Sequence, residues 1–169
     1  MIVKDLNRYS KTFVGKVKIC LMSPSFHIVL LYRISNFFVS KIPFVGNIIG
    51  LIVEYISRLL YSTDISRYAK IDEGLVIMHG IGTVIGSNVV IGKNCKILNS
   101  VNLGNRDTEI PNNQQPQIGD NVVIGAGAKC LGNITIGNNV LIGSNAVVLI
   151  DIPDNCTAVG VPAKIIKKL

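Results

Sequence analysis

A count of six limits how this chain can fold more than any other feature it has. The stretch "VIGSNVVIGKNC", residues 84–95, sets an aliphatic residue and a glycine at strict sixes. The aliphatic place runs through Ile85, Ile91, Ile97 and Leu103, then resumes at Ile118, Ile124, Cys130, Ile136, Ile142 and Val148; nine of these ten are Ile, Leu or Val. Glycine follows seven of them, and the fifth place is small or β-branched (Val89, Cys95, Val101, Val122, Ala128, Val140, Ala146). A helical stripe needs apolar residues three and four apart, whereas short β-favouring runs punctuated by Gly or Asn turn the chain cheaply. A period this short predicts a β-solenoid whose coils stack so that the first place of each repeat is buried. Each such side chain removed from water contributes about 1.5–3 kcal/mol, so stability accumulates along the axis.

The count carries back through Ile77, Ile71 and Ile65, with two extra residues between Ile77 and Ile85, and places the start of the solenoid near Ser62. The predicted solenoid domain therefore covers residues 62–169, behind an N-terminal segment at 1–61. Between Leu103 and Ile118 the polar run "GNRDTEIPNNQQPQ", residues 104–117, reads as a loop thrown out of the stack, where rigid scaffolds tend to carry function.

Charge is concentrated at the other end. Residues 1–70 hold ten Lys or Arg against three Asp or Glu, which is the whole net charge of +7. The excess accompanies apolar runs and not the polar, aromatic-laced surface of a nucleic-acid binder. Ser23 before Pro24 predicts a helix start, with Phe26, Leu30, Ile34 and Phe37 following at helical spacing. A second helix is expected after Pro43, with Val45, Ile48, Ile49, Ile52, Ile56, Leu59 and Leu60 as its apolar face and Glu54 and Arg58 as an i,i+4 pair. Within residues 1–61 the longest uncharged runs, 14 residues at 19–32 and 12 at 42–53, fall short of the roughly 18–20 a spanning helix needs. Two readings of residues 1–61 follow, and one segment can satisfy both: a cap on the first coil, and a basic amphipathic patch resting on an anionic membrane surface.

The four cysteines are widely spaced without a CxxC pair, and Cys95 and Cys130 occupy interior places, as small core residues of a cytoplasmic protein do. The charged start "MIVKDLNRYSK" is not followed by the short apolar run and cleavage site of a secretory leader. Of the two histidines, His27 lies among apolar neighbours and reads as structural. His79, in "VIMHGIGTVIG", sits two places after Ile77, so it leaves the solenoid at a corner, with Gly80 and Gly82 leaving room for a close approach.

Residues 64–168, through "DISRYAKIDEGLVIMHGIGTVIG", "ILNSVNLGNR", "IGDNVVIGAGAKCLGNITIGNNVLIGSNAVV" and "AVGVPAKII", resemble the serine acetyltransferase branch of the hexapeptide-repeat acyltransferases. Within it the likeness points to the small O-acetyltransferases of capsule and exopolysaccharide synthesis, of the colanic acid type, which the N-terminal "LLYRISNFF" also resembles. The resemblance implies a mainly β fold, a left-handed parallel β-helix behind a short N-terminal α-helical segment. It also implies a homotrimer that binds acetyl-CoA between adjacent subunits without a metal. His79 matches the catalytic histidine and Asp64 the carboxylate that orients it. A neutral imidazole can take a hydroxyl proton as the oxygen attacks a thioester, and an aspartate on its other nitrogen fixes the tautomer. The resemblance places Ala126 and Ser144 against the pantetheine arm, Gly104 and Asn105 at an oxyanion-stabilising turn, and Arg106, Lys164 and Lys167 near the CoA phosphates.

Serine acetyltransferases place an aspartate before the catalytic histidine and an Arg-His pair in the extruded loop. This chain has Met78, Gln114 and Gln115. Unpaired charges in a desolvated pocket cost several kcal/mol, while amides suit sugar hydroxyls. The expected reaction is thus acetyl transfer to a sugar hydroxyl in polysaccharide or glycoconjugate synthesis, in the cytoplasm or peripherally at the inner membrane. Serine O-acetylation for cysteine synthesis and a non-catalytic trimeric scaffold are the alternatives. A zinc hydratase on the same fold needs three histidine ligands, which two distant histidines do not furnish.

Overall fold

The computed structural model describes residues 1–167 other than 43, 108 and 110–113, with the backbone alone at 167. The count of six becomes a three-sided spool. Its first side stacks β1 (Asp64–Ile65), β4 (Val84–Ile85), β7 (Asn102–Gly104), β10 (Lys129–Leu131) and β13 (Val147–Val148). The second stacks β2 (Lys70–Ile71), β5 (Val90–Ile91), β8 (Gln117–Ile118) and β11 (Thr135–Ile136). The third stacks β3 (Val76–Ile77), β6 (Lys96–Ile97), β9 (Val123–Ile124), β12 (Leu141–Ile142), β14 (Cys156–Val159) and β15 (Lys164–Lys167). All pairings are parallel except the last, where β15 folds back on β14.

Register places aliphatic over aliphatic: Ile65 against Ile85, Ile71 against Ile91, Ile77 against Ile97. These residues and those above them are at most 5% exposed and form one continuous core. The fifth coil departs from the count. After Val148 the second side is reached at Ile152, bridged to Ile136, and the third at Ala158. Corners turn at the third residue past the inward one: Asn94, Ser100, Asn121, Asn139, Asn145 and Asn155 all take left-handed φ between 56° and 59°. Asparagine tolerates this region, and here its amides also bond across coils, Asn121 to Asn139 and Asn139 to Asn155.

Four helices precede the spool: α1 (Ile2–Tyr9), α2 (Phe13–Met22), α3 (Pro24–Lys41) and α4 (Val45–Tyr61). Ser23 caps α3, its hydroxyl accepting from the Phe26 N–H, with Pro24 opening the first turn. Ile28, Val29 and Tyr32 of α3 join the solenoid core, closing its first coil. Apolar spacing predicts α3 and α4 but neither α1 nor α2. In α1 the buried residue is Asp5, while Ile2, Leu6 and Tyr9, at helical spacing, stay exposed or half-buried; eight residues give too short a pattern to stand out.

α4 lies opposite to its expected orientation. Its buried residues are Gly46, Gly50, Glu54 and Ser57, while Ile48, Ile52, Ile56, Leu59 and Leu60 are exposed. Glu54 bonds Arg67 of the first coil, and Arg58 bonds Asp64, so the expected pair within α4 does not form. An ion pair to the spool and two glycines that allow close approach to α3 outweigh the apolar stripe: a side chain at Gly46 would meet the Phe38 carbonyl at 2.1 Å. Among the described residues, no single helix is long and apolar enough to cross a membrane.

Candidate active site

His79 stands where the count breaks. The two extra residues between Ile77 and Ile85 form a corner at 78–83 that the other coils lack. There His79, two places past the inward Ile77, takes φ 54°, a left-handed backbone that histidine adopts more readily than most residues. The corner is held from several sides. The Met78 N–H donates to the Ile97 carbonyl, the His79 N–H to Ser25 Oγ, and Thr63 Oγ1 to the Gly80 carbonyl. Tyr9 places its hydroxyl on both backbone groups of Ile77, accepting from N–H at 2.8 Å and donating to the carbonyl at 3.0 Å. The room expected at the two glycines is filled by protein. A side chain at Gly80 would strike Ile77 and Ile28 within 2.8 Å, and one at Gly82 would meet Ser100 at 3.2 Å. These glycines seat α3 and the next coil instead of admitting a ligand.

The imidazole itself is exposed, between two open hollows. One, of about 600 Å³, is lined by residues including Ser23, Ile28, Tyr61, His79 and Ile81. The other, of about 420 Å³, is lined by residues including Arg8, Ser25, Met78, His79 and Lys96. Asp64 opens β1 beside Thr63, so its backbone adjoins the His79 corner, but its carboxylate accepts from Arg58 at 2.9 Å. Among the described residues no hydrogen bond reaches the His79 ring. His27 is engaged at both nitrogens, by Tyr61 Oη at 3.1 Å and the Cys20 carbonyl at 2.8 Å, a structural role.

The residues expected to meet the cofactor fall into an order that the third side sets. His79, Ala126 and Ser144 each lie two places past an inward residue of that side, as Asn99 also does. They form one column along a single corner of the spool, three ladder steps long, roughly 14 Å at about 4.8 Å per strand. Ala126 is half-buried and Ser144 exposed, and both side chains are small. Lys164 is exposed on β15, beyond the far end of that side; of Lys167 only the backbone is described. Gly104 and Asn105 leave the first side instead, at the foot of the 104–117 loop, and Gly104 accepts from the Gly132 N–H. Arg106 is exposed, its stem lying over Gly132.

On the acceptor side the structure departs from the expectation. Met78 is partly exposed and lines the smaller hollow. Gln115 is buried and turned into the coil, its Oε1 accepting from the Asn88 N–H at 2.9 Å, and within one chain neither it nor the exposed Gln114 lines a hollow beside His79. The hollow is nonetheless not neutral, because the fold brings Arg8 from α1 and Lys96 from β6 to its wall. Neither carries a local signal: Arg8 lies outside the repeats, and Lys96 fills an outward place of one, where a charged residue is ordinary. Among the described residues, no group of three His, Cys, Asp or Glu side chains could hold a metal ion.

Residues 115–149 match the bacterial transferase hexapeptide (six repeats) family, and residues 82–106 match the hexapeptide repeat of succinyl-transferase. Over 154 residues the chain is 39% identical to a serine acetyltransferase of Helicobacter pylori, covering 91% of this chain and 88% of that protein. It is 37% identical over 151 residues to a serine acetyltransferase of Synechococcus elongatus, of whose length it spans only 60%. The crystal structure of a Brucella abortus serine acetyltransferase in complex with coenzyme A superposes with a TM-score of 0.89 at 29% identity, covering 99% of this chain and 66% of that one. These relatives overturn the expected closeness to capsule and exopolysaccharide enzymes, and with it the sugar acceptor. Three neutral positions do not set the charge beside His79, because Gln115 is turned into the coil and Arg8 and Lys96 reach the hollow from elsewhere in the fold.

Proposed function

Because the chain belongs to the serine acetyltransferase family, we propose that it transfers the acetyl group of acetyl-CoA to the hydroxyl of L-serine, in the cytoplasm. The observation that supports this reading is the column that His79, Asn99, Ala126 and Ser144 form along one corner of the spool. The small side chains of Ala126 and Ser144 suit an extended thioester arm with its reactive carbon at the imidazole. His79 takes the serine hydroxyl proton as the oxygen attacks the thioester carbon. The tetrahedral intermediate collapses with cleavage of the C–S bond, and the thiolate recovers the proton from the imidazolium as CoA thiol. Asp64 orients and stabilises that imidazolium once it exchanges Arg58 for His79; the pair it leaves is exposed and worth about 0–1 kcal/mol. The turn at Gly104 and Asn105 stabilises the oxyanion from a neighbouring subunit of a homotrimer, and Arg106, Lys164 and Lys167 meet the CoA phosphates. No step calls for a metal.

Thiol release with acetyl-CoA and L-serine tests the reading. Wild-type protein is expected to turn over, and His79→Ala to lower kcat by about 10²–10⁴-fold. No thiol release from the wild type, or full turnover by His79→Ala, would overturn it.

We propose in addition that the helices rest on an anionic membrane surface. α4 presents Val45, Ile48, Leu51, Ile52, Tyr55 and Leu59 outward, and α2 presents Phe13 and Val14 at about 80% exposure. The only acidic residues in 1–61, Asp5 and Glu54, are buried in ion pairs, whereas Lys11, Lys16, Lys18 and Lys41 have no acidic partner among the described residues. An apolar face with an unopposed cationic rim is complementary to acidic lipid, and would set lysine against lysine in a two-fold contact with itself. The full chain is expected to co-sediment with phosphatidylglycerol vesicles at low salt and to be released at high salt. Indifference to those vesicles, or equal binding to neutral ones, would refute this surface.

A further inference from the structure

The smaller hollow beside His79 has a charge that the proposed reaction leaves unused. α1 is pinned at both ends to the first coil. Asp5, fully buried, accepts from the Gly74 and Leu75 N–H groups and pairs with Arg33, and Tyr9 bonds Ile77. Arg8 lies between these anchors and is thereby fixed over the third side, where its guanidinium donates to the Asn94 carbonyl at 3.2 Å. Among the described residues that is the one hydrogen bond it makes, which leaves most of its five donors without a partner there. Lys96 sits opposite Val76 in the β3–β6 ladder, three residues before His79, with its side chain on the outer face because Ile97 takes the interior. It is half-buried, and among the described residues no acid faces it. Among the described residues the remaining wall carries hydroxyls, the His79 ring and apolar groups, with no carboxylate.

Resting on the proposed acetyl transfer, we propose that Arg8 and Lys96 form the acceptor's anion site: they bind a carboxylate carried beside the reacting hydroxyl, and the hollow is indifferent or averse to an ammonium group. Two cations converging on a concave wall without a counter-ion favour an anion there, and arginine's fork matches a carboxylate bidentately. With the carboxylate held at Arg8 and Lys96, a two- or three-carbon acceptor presents its hydroxyl toward His79. The same two charges repel an amine, and among the described residues no acid on the wall offsets them. The site thus selects hydroxy carboxylates as a class, L-serine among them, through their acid group.

The test compares acceptors that share the hydroxyl and differ in charge. L-Serine carries both groups, glycerate only the carboxylate, and L-serinamide only the ammonium. Wild-type kcat/KM with serinamide is expected to fall at least 100-fold below that with serine, while glycerate stays within about 10-fold. Arg8→Gln and Lys96→Met should each raise KM for serine about 10-fold with kcat little changed, and the double variant should bring the serine-to-serinamide ratio close to one. A merely structural role would lower kcat for every acceptor alike and leave that ratio intact, which would overturn the proposal. Glycerate binding, measured by calorimetry on wild type and the double variant, separates this outcome from failure of the parent reading. If the wild type acetylates none of the three, binding of glycerate that the double variant loses still upholds the anion site. Binding that the double variant retains, or no glycerate binding to the wild type, removes it.

Discussion

At the scale of single residues, the catalytic candidate owes its place to an irregularity. In the second, third and fourth coils the third side's corner turns at Ser100, Gly127 and Asn145, all three places past the inward residue; in the first coil His79 turns one place earlier than these. A longer corner and a left-handed φ push the imidazole out of the wall, and Ser25 and Tyr9 hold the backbone there. Such backbone persists where its surroundings over-determine it. The thiols show the opposite situation. Burial pushes Cys95 up to about 11 and Cys130 up to about 12 from an ordinary 9.0. Thiols of the unfolded chain ionise from about pH 9, while these two stay protonated in the fold. The stability they contribute is therefore complete below pH 9 and is lost as pH rises through 11 to 12. Urea unfolding at pH 8 and pH 10.5 should show a fall on the order of a few kcal/mol, shallower in a Cys95→Ala/Cys130→Ala variant. Exposed Cys20 should react with a thiol reagent in the native state while Cys95 and Cys130 do not.

At the scale of elements, α1 and α4 are held by polar residues where apolar ones would be expected. Asp5 accepts from Arg33 at 2.9 Å and from two backbone N–H groups of the first coil, and Arg33 donates onward to the Ile71 and Asp72 carbonyls. Every partner is satisfied, which a buried pair requires if it is not to destabilise. Asp5→Ala would strand the Arg33 guanidinium in the interior and is expected to destabilise by about 3–5 kcal/mol, read as a lower urea midpoint. Asp5→Asn, which keeps an acceptor, should lose less. Because α1 carries Arg8, the same variants should weaken serine affinity, whereas a surface change such as Lys11→Ala should not. Glu54 serves α4 in the same way, anchoring Arg67 and leaving the helix's apolar face outward.

At the scale of the whole molecule, five coils of short strands give a rigid prism whose corner column needs a second wall to enclose a thioester. Light scattering is therefore expected to give three times 18.3 kDa, and coenzyme A binding should weaken under conditions that separate the subunits; a monomer that binds coenzyme A with undiminished affinity would count against a site between chains. The amino-acid sequence by itself determined the solenoid, its interior residues, the capped start of α3 and the singular position of His79, because each depends on a local period or on neighbours a few places away. Only the tertiary structure decided which way α4 faces, that Asp64 meets Arg58, that Gln115 turns into the coil, and that Arg8 and Lys96 border the same hollow as His79. Those outcomes are contests between partners brought together from distant parts of the chain, Arg8 and Asn94 or Glu54 and Arg67. No spacing along the sequence records which of them prevails.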